Sequence, residues 1–357
     1  MAESVTKRWI SIDALRGLAV IFMLSQHMIY WLCSEVHSSL VVQALGAMGG
    51  LAAPLFILIA GIGVEMAARR HENISRLLPA RGIMIMGLGY LLNLLAPTWF
   101  SPGSWYILHM IGFAMITAPL LRKAPGGVLM IFLIAVLACT VILQNSLNTP
   151  LYLQNWHMAS TGLSGGVLRL ALVEGFFPVF PWIGFFLAGI LAGRIILDKK
   201  NSQLWIYGCF FISVWFLLSA VYFSGFEFTR HTPWIRIFKP LANFYPALTP
   251  VTLLLMGSAI LLLAGFLWLQ SFREPGWIKK LKNFLAHPGR CSLTILIVHI
   301  PLVREPVVRF GWWRTLPAAE TLALTLGMIV IFSVIAVCWG RIQYKYGAEW
   351  ALRKVFP

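Results

Sequence analysis

The chain has 357 residues, of which 59% are hydrophobic and only 11% charged. An ordinary soluble domain carries about 25% charged residues, so a soluble globular enzyme, a disordered chain and a coiled coil are excluded. A polytopic helical membrane protein remains, because the apolar runs are long and continuous rather than alternating over ~10 residues as in a membrane barrel. The formal charge of +16 reads as cytoplasmic loops under the positive-inside rule, not as a nucleic-acid surface.

A transmembrane helix needs about 20 mostly apolar residues. In chain order the segments 14–34, 48–68, 82–97, 105–121, 126–144, 176–197, 203–224, 247–270, 284–303 and 321–341 meet that description. The expected fold is all-α, a polytopic membrane helical bundle of about 10 transmembrane helices, in one integral membrane domain over 1–357. The first run follows Lys7 and Arg8 and reads as a retained signal anchor. With the N-terminus inside, most Lys and Arg fall in inner segments. The outer ones hold only Arg169, Arg230, Arg236, Lys239, Arg304, Arg309 and Arg314. That bias puts both termini in the cytoplasm, and it leaves the charges of the later outer loops unexplained by topology. The cysteines Cys33, Cys139, Cys209, Cys291 and Cys338 are scattered, without CxxC or zinc spacing. They read as small core residues, with no disulfide framework and no metal site.

An ionisable residue inside a span is costly, and by default it is a candidate site. The first span contains Asp13, Arg16 and His27. Arg16 and His27 are eleven positions apart, about three helical turns, so they share one face about 16 Å apart along the axis. That spacing suits a long anionic ligand entering from inside, with phosphates at Arg16 and its reactive end at His27. A snorkelling Arg16 and a helix–helix hydrogen bond at His27 would account for the same residues.

The stretch DALRGLAVIFMLSQH (13–27) resembles the opening signature of the heparan-α-glucosaminide N-acetyltransferase catalytic-domain family in its bacterial form. The Arg16–His27 spacing also resembles the motif of the acyltransferase type 3 membrane proteins. Four more stretches fit the first family in order: AAPLFILIAGIGVEM (52–66), Arg81-Gly82, FPVFPWIGFFLAGILAGR (177–194) and GRCSLTILIVH (289–299). The resemblance implies a transmembrane acetyltransferase that uses cytoplasmic acetyl-CoA and acetylates an acceptor, usually a sugar, on the other side. Animal lysosomal members carry Asn where this chain has His27 and use a luminal His of the first loop, for which His37 is the counterpart here. His27 is the preferred base, and His299, a histidine of the family pattern at the outer end of the ninth span, joins His27 and His37 as a catalytic candidate.

Arg16, Arg81 and Arg290 are the candidates for the CoA phosphates, since guanidinium forks suit them; positive-inside anchoring explains Arg81 and Arg290 equally. Glu65 and Arg69 are spaced for an i,i+4 ion pair. Arg194 reads as an anchor and His109 as a core or interface residue. Pro178 and Pro181 mark either a broken helix or an interfacial bend. Trp99, Trp105, Trp156, Trp234, Trp312 and Trp313 are belt residues that could also stack on sugars, and the Lys279, Lys280, Lys282 cluster faces lipid headgroups.

The expected function is acetyl transfer from cytoplasmic acetyl-CoA to the hydroxyl or amine of an extracytoplasmic glycan or lipid-linked sugar, with an intramembrane His as general base. The alternative is a proton-coupled transporter or lipid-linked-sugar flippase, using His27 and His299 as relay groups. A third reading is a non-catalytic assembly protein. The expected partners are the lipid bilayer, acetyl-CoA and a saccharide or glycolipid acceptor, in a bacterial inner membrane, with a homodimer compatible with the resemblance and no metal or nucleic acid.

Overall fold

A computed structural model describes residues 9–36, 39–69, 73–240, 244–271 and 275–355. The helices, in chain order, are α1 (Ile10–Leu32), α2 (Leu40–Gly49), α3 (Ala52–Ala68), α4 (Ile74–Leu95), α5 (Ile107–Leu121), α6 (Gly126–Ser146), α7 (Asn155–Ala159), α8 (Gly166–Arg169), α9 (Val179–Leu197), α10 (Ser202–Phe223), α11 (Ile235–Phe238), α12 (Thr249–Ser271), α13 (Gly276–Arg290), α14 (Ser292–His299), α15 (Glu305–Arg309), α16 (Ala318–Gly340) and α17 (Ala348–Val355). Two π-helical turns, Leu170–Glu174 and Ile300–Arg304, interrupt the α pattern. Among the described residues there is no strand, only an isolated bridge between Cys33 and Leu316.

Among the described residues eight segments are long and apolar enough to cross a membrane, one of them α2 and α3 taken together (Leu40–Ala68), and a ninth span results if α13 and the helix after it, bent by 59°, count as one. The all-helical membrane bundle expected from composition is therefore what the chain forms. The remaining expected span, 105–121, is α5, whose 15 residues fall short of the usual length.

Proline explains the irregular places. Phe180, which precedes Pro181, has φ −99° and ψ 118° inside α9, because the pyrrolidine ring disfavours helical geometry in the residue before it. The Pro178–Pro181 segment is thus a kink at the entry of a spanning helix. In α13, Pro288 lies just before the break at Cys291.

The described chain forms two compact units, Met1–Phe56 with Gly265–Pro357, and Ile57–Ala264. In the first, α1 packs against α13 at bare backbone. A Cβ on Gly17 would lie 1.8 Å from the Leu285 carbonyl oxygen, and one on Gly289 would lie 1.9 Å from that of Asp13. In hydrocarbon, lipid tails are as apolar as leucine, so helices associate by close packing through small residues. The second unit uses the same device between α3 and α9, where a Cβ on Gly189 would meet the Leu58 carbonyl oxygen at 2.1 Å.

Candidate active site

Helix α1 carries His27 into contact with His299, the last residue of α14. His27 Nδ1 and His299 Nε2 are 2.8 Å apart, and the rings are nearly parallel, 10° between planes. Trp31, one turn after His27, stacks on both, with centroids 4.9 Å from His27 and 5.9 Å from His299. His299 is 1% exposed, whereas His27 is half-buried.

The hydrogen bonds order the protons. His299 Nδ1 lies 2.9 Å from the Ile295 carbonyl oxygen, which can only accept, so Nδ1 carries the hydrogen. In the neutral ring Nε2 is then the acceptor. It follows that His27 donates from Nδ1, which directs the His27 lone pair to Nε2. A buried histidine thus sets the tautomer of a more accessible one.

Toward the other end of α1, Asp13 gathers two arginines. Its carboxylate is 3.7 Å from Arg16 Nη1 and accepts a 3.3 Å hydrogen bond from Arg290 Nε. The glycine contact makes this possible. Gly17 follows Arg16 and Gly289 precedes Arg290, so backbone approach of the two helices brings both guanidinium groups to one carboxylate. Two guanidinium groups thus gather on one carboxylate, with Arg16 about 16 Å along the helix from His27.

Beyond His299 the π turn ends at Arg304, which is 3% exposed, next to Glu305 at 5%. Their charged groups are 3.8 Å apart, and Arg309 also approaches Glu305, at 3.7 Å. The Arg304 guanidinium lies over Trp313, 5.1 Å from its ring centre. The Arg314 and Leu316 amides donate to the Trp31 and Leu32 carbonyls, lacing this segment onto the end of α1. Sequence reasoning counted Arg304 only as a loop charge; the signal that could have singled it out is its place five residues after His299, outside the region where topology calls for cations.

Of the other expected residues, Arg81 lies on α4 in the second unit. His37 lies outside the described residues. His109 is fully buried and packs against Tyr90, Trp105 and Tyr106, as expected of a core residue. The i,i+4 pair between Glu65 and Arg69 does not form: Glu65 accepts from Arg194 at 3.3 Å, and Arg69 pairs with Asp198 at 3.6 Å. Gly193 causes the exchange, since its missing side chain lets α9 press on Glu65 and sets the adjacent Arg194 within reach. Lys282 is buried at 6% exposure rather than presented with Lys279 and Lys280.

The second unit holds a charge cluster that sequence reasoning missed. Glu174, at 0% exposure, accepts hydrogen bonds from Thr149 (2.5 Å), His157 (2.6 Å) and Arg169 (2.7 and 2.8 Å). Arg236 adds bonds to Asn145, Gln144 and the Thr149 carbonyl. Burial alone would raise the Glu174 pKa, but the bonds from Arg169, Thr149 and His157, with the Arg169 charge, outweigh it and hold the carboxyl below the usual 4.5. The bond to Glu174 raises Arg169 in turn, while burial lowers Arg236. Among the described residues no group of three or more His, Cys, Asp or Glu is placed to hold a metal.

The family model for heparan-α-glucosaminide N-acetyltransferase, catalytic, matches residues 8–208. The chain belongs to that family. Membership implies a transmembrane acetyltransferase, which fits a bundle whose spans carry paired histidines and arginines. The match covers Arg16, His27 and Arg81, whereas Arg290 and His299 lie beyond it. No curated protein matches the sequence.

Proposed function

We propose that the protein transfers an acetyl group from acetyl-CoA on the cytoplasmic side to a hydroxyl or amine of an extracytoplasmic saccharide or glycolipid, with His27 as the general base. The observation that carries this reading is the 2.8 Å imidazole pair with its inner ring tied to Ile295. It gives His27 a defined tautomer with the basic nitrogen at Nε2.

Acetyl-CoA supplies the thioester. Arg16 and Arg290, held on Asp13, form the cationic foot for its phosphates, and Arg81 is a further candidate. His27 Nε2 takes the proton of the acceptor as its oxygen or nitrogen attacks the acyl carbon. The carbon–sulfur bond breaks, the thiolate leaves and is protonated, and the His27 proton returns to solvent. His299 donates nothing to the substrate; it steadies the imidazolium that His27 becomes. A chain embedded in a bacterial inner membrane would meet both substrates, one from each side.

The same imidazole pair would also serve a proton relay, the transporter reading. Inverted membrane vesicles separate the two. With labelled acetyl-CoA added outside, acetyl label appearing on saccharide trapped inside, with one CoA thiol released per acetyl, supports the transferase. Saccharide flux without CoA release supports the transporter and ends the assignment.

A further inference from the structure

The second unit contains a groove of about 490 Å³ lined from α6, α9, α10 and α12. Its wall is apolar, with Met130 and Leu133 on α6, Leu191 and Ile195 on α9, and Leu204 and Phe211 on α10. From Gln203 at the rim to Phe211 it runs about 12 Å along the helix axis. The outward faces of the same helices are those of lipid-exposed spans: Ile131 and Ile134 on α6, and Ile206 and Phe210 on α10, are all exposed. The groove therefore opens on a flank that faces hydrocarbon.

The rim carries a net positive charge: Arg194, Asp198, Lys200 and Gln203 line it, and Arg122, Lys123 and Lys199 are close by in sequence to lining residues. Arg194 is committed to architecture, since it bonds the Ala124 and Arg122 carbonyls at 2.9 and 2.6 Å as well as Glu65. Asp198 is offset by Arg69. Lys200 and Gln203 are left as the polar groups at the mouth. A cationic rim above an apolar slot at the end of a span matches one chemistry: a phosphate headgroup carrying a hydrocarbon chain.

We propose that this groove binds an anionic phospholipid of the leaflet at the basic end of the spans, with one acyl chain along Leu133, Leu191 and Phe211 and the phosphate at Lys200 and Gln203. A ligand that binds only the folded state stabilises it, so the lipid acts as a brace for α6, α9 and α10. The assignment is independent of the histidine site.

Gly127 supplies a sharp test. It lines the groove, and a Cβ there would meet nothing within 4 Å, so Gly127→Leu adds an apolar side chain at the groove without a backbone clash. The full chain is purified in detergent and its Tm followed with added phosphatidylglycerol or phosphatidylcholine of identical chains, with native mass spectrometry counting retained lipid. The expected result is a Tm rise of several degrees specific to phosphatidylglycerol. Retention should fall at least tenfold in both Gly127→Leu and the exposed variant Lys200→Gln, each keeping the wild-type Tm in phosphatidylcholine. Equal shifts with both lipids, or undiminished retention in both variants, would overturn the proposal. So would displacement of bound lipid by CoA, which would give the rim to a soluble phosphate ligand.

Discussion

Two clusters of hydrogen-bonded polar side chains, one in each unit, are arranged to opposite effect. Each sits at the end of a π turn, a distortion that frequently marks functional sites: Leu170–Glu174 ends at Glu174, and Ile300–Arg304 begins beside His299 and ends at Arg304. Around Glu174 every bond closes on the cluster itself. Three side chains donate to one carboxylate, and the basic partners are further tied to main-chain carbonyls of Leu147 and Thr149. Around His27 the bonds form a line instead, from Ile295 through His299 to a half-buried imidazole. The difference separates a charge cluster that holds loops together from one that presents a reactive group. Burial and charge alone do not distinguish them; the direction in which the hydrogen bonds run does.

The comparison breaks most visibly at Glu174. Replacing it by Leu strands Arg169 and His157, and removing one partner of a buried pair costs about 3–5 kcal/mol. Glu174→Leu should therefore lower the Tm by many degrees or prevent accumulation of folded protein, as read by thermal unfolding in detergent. A change of a degree or two would show that the cluster is not what holds that region.

Acid should act through the same residue. A carboxyl whose folded pKa is depressed adds stability that is complete above its unfolded value and is lost as pH falls through the lower folded one. The Glu174 contribution should thus be flat from neutrality down to about pH 5 and decline below the ordinary carboxylate range. The Tm difference between wild type and Glu174→Gln, measured against pH, should narrow only there.

At the cationic foot the effect is on binding. Charge-assisted hydrogen bonds contribute about 1.5–3 kcal/mol, so Arg16→Ala and Arg290→Ala should each raise the acetyl-CoA KM roughly tenfold or more, with kcat little changed. The double variant should be less than additive, because both arginines share Asp13. Unchanged KM in both would move the coenzyme phosphates elsewhere, with Arg81 the next candidate.

The smallest effect is expected at the positioning histidine. His299→Leu should lower kcat about tenfold and shift the pH–rate profile, while His299→Gln, which keeps an acceptor for the His27 N–H, should recover most of the rate. Equal loss in both variants, with no change in the pH profile, would reduce His299 to a packing residue.

Much of this architecture is legible in the sequence, for a simple reason. Span length is a property of one helix at a time, and so is the shared face of Arg16 and His27. Pairings between helices are not. Glu65 stands four residues before Arg69, and local spacing favours that pair, but Gly193 admits α9 so closely that Arg194 takes the carboxylate. Asp13 collects Arg290 from far along the chain because two glycines allow backbone contact, which no hydropathy pattern shows. The Glu174 cluster escaped notice for the opposite reason: Thr149, His157, Arg169 and Arg236 are scattered over loops and short helices too brief to show a period. The same holds for Arg304, which stands at the end of the π turn that follows His299 and meets Glu305 and Trp313.

The central claim is that His27 is the proton acceptor in acetyl transfer. The direct measurement is the single-turnover rate of label transfer from acetyl-CoA to a saccharide acceptor by purified protein in liposomes, compared between wild type and His27→Ala. Loss of general-base assistance predicts a fall of about 10²–10⁴-fold with Tm and acetyl-CoA affinity intact. A variant that transfers acetyl at the wild-type rate would contradict the account.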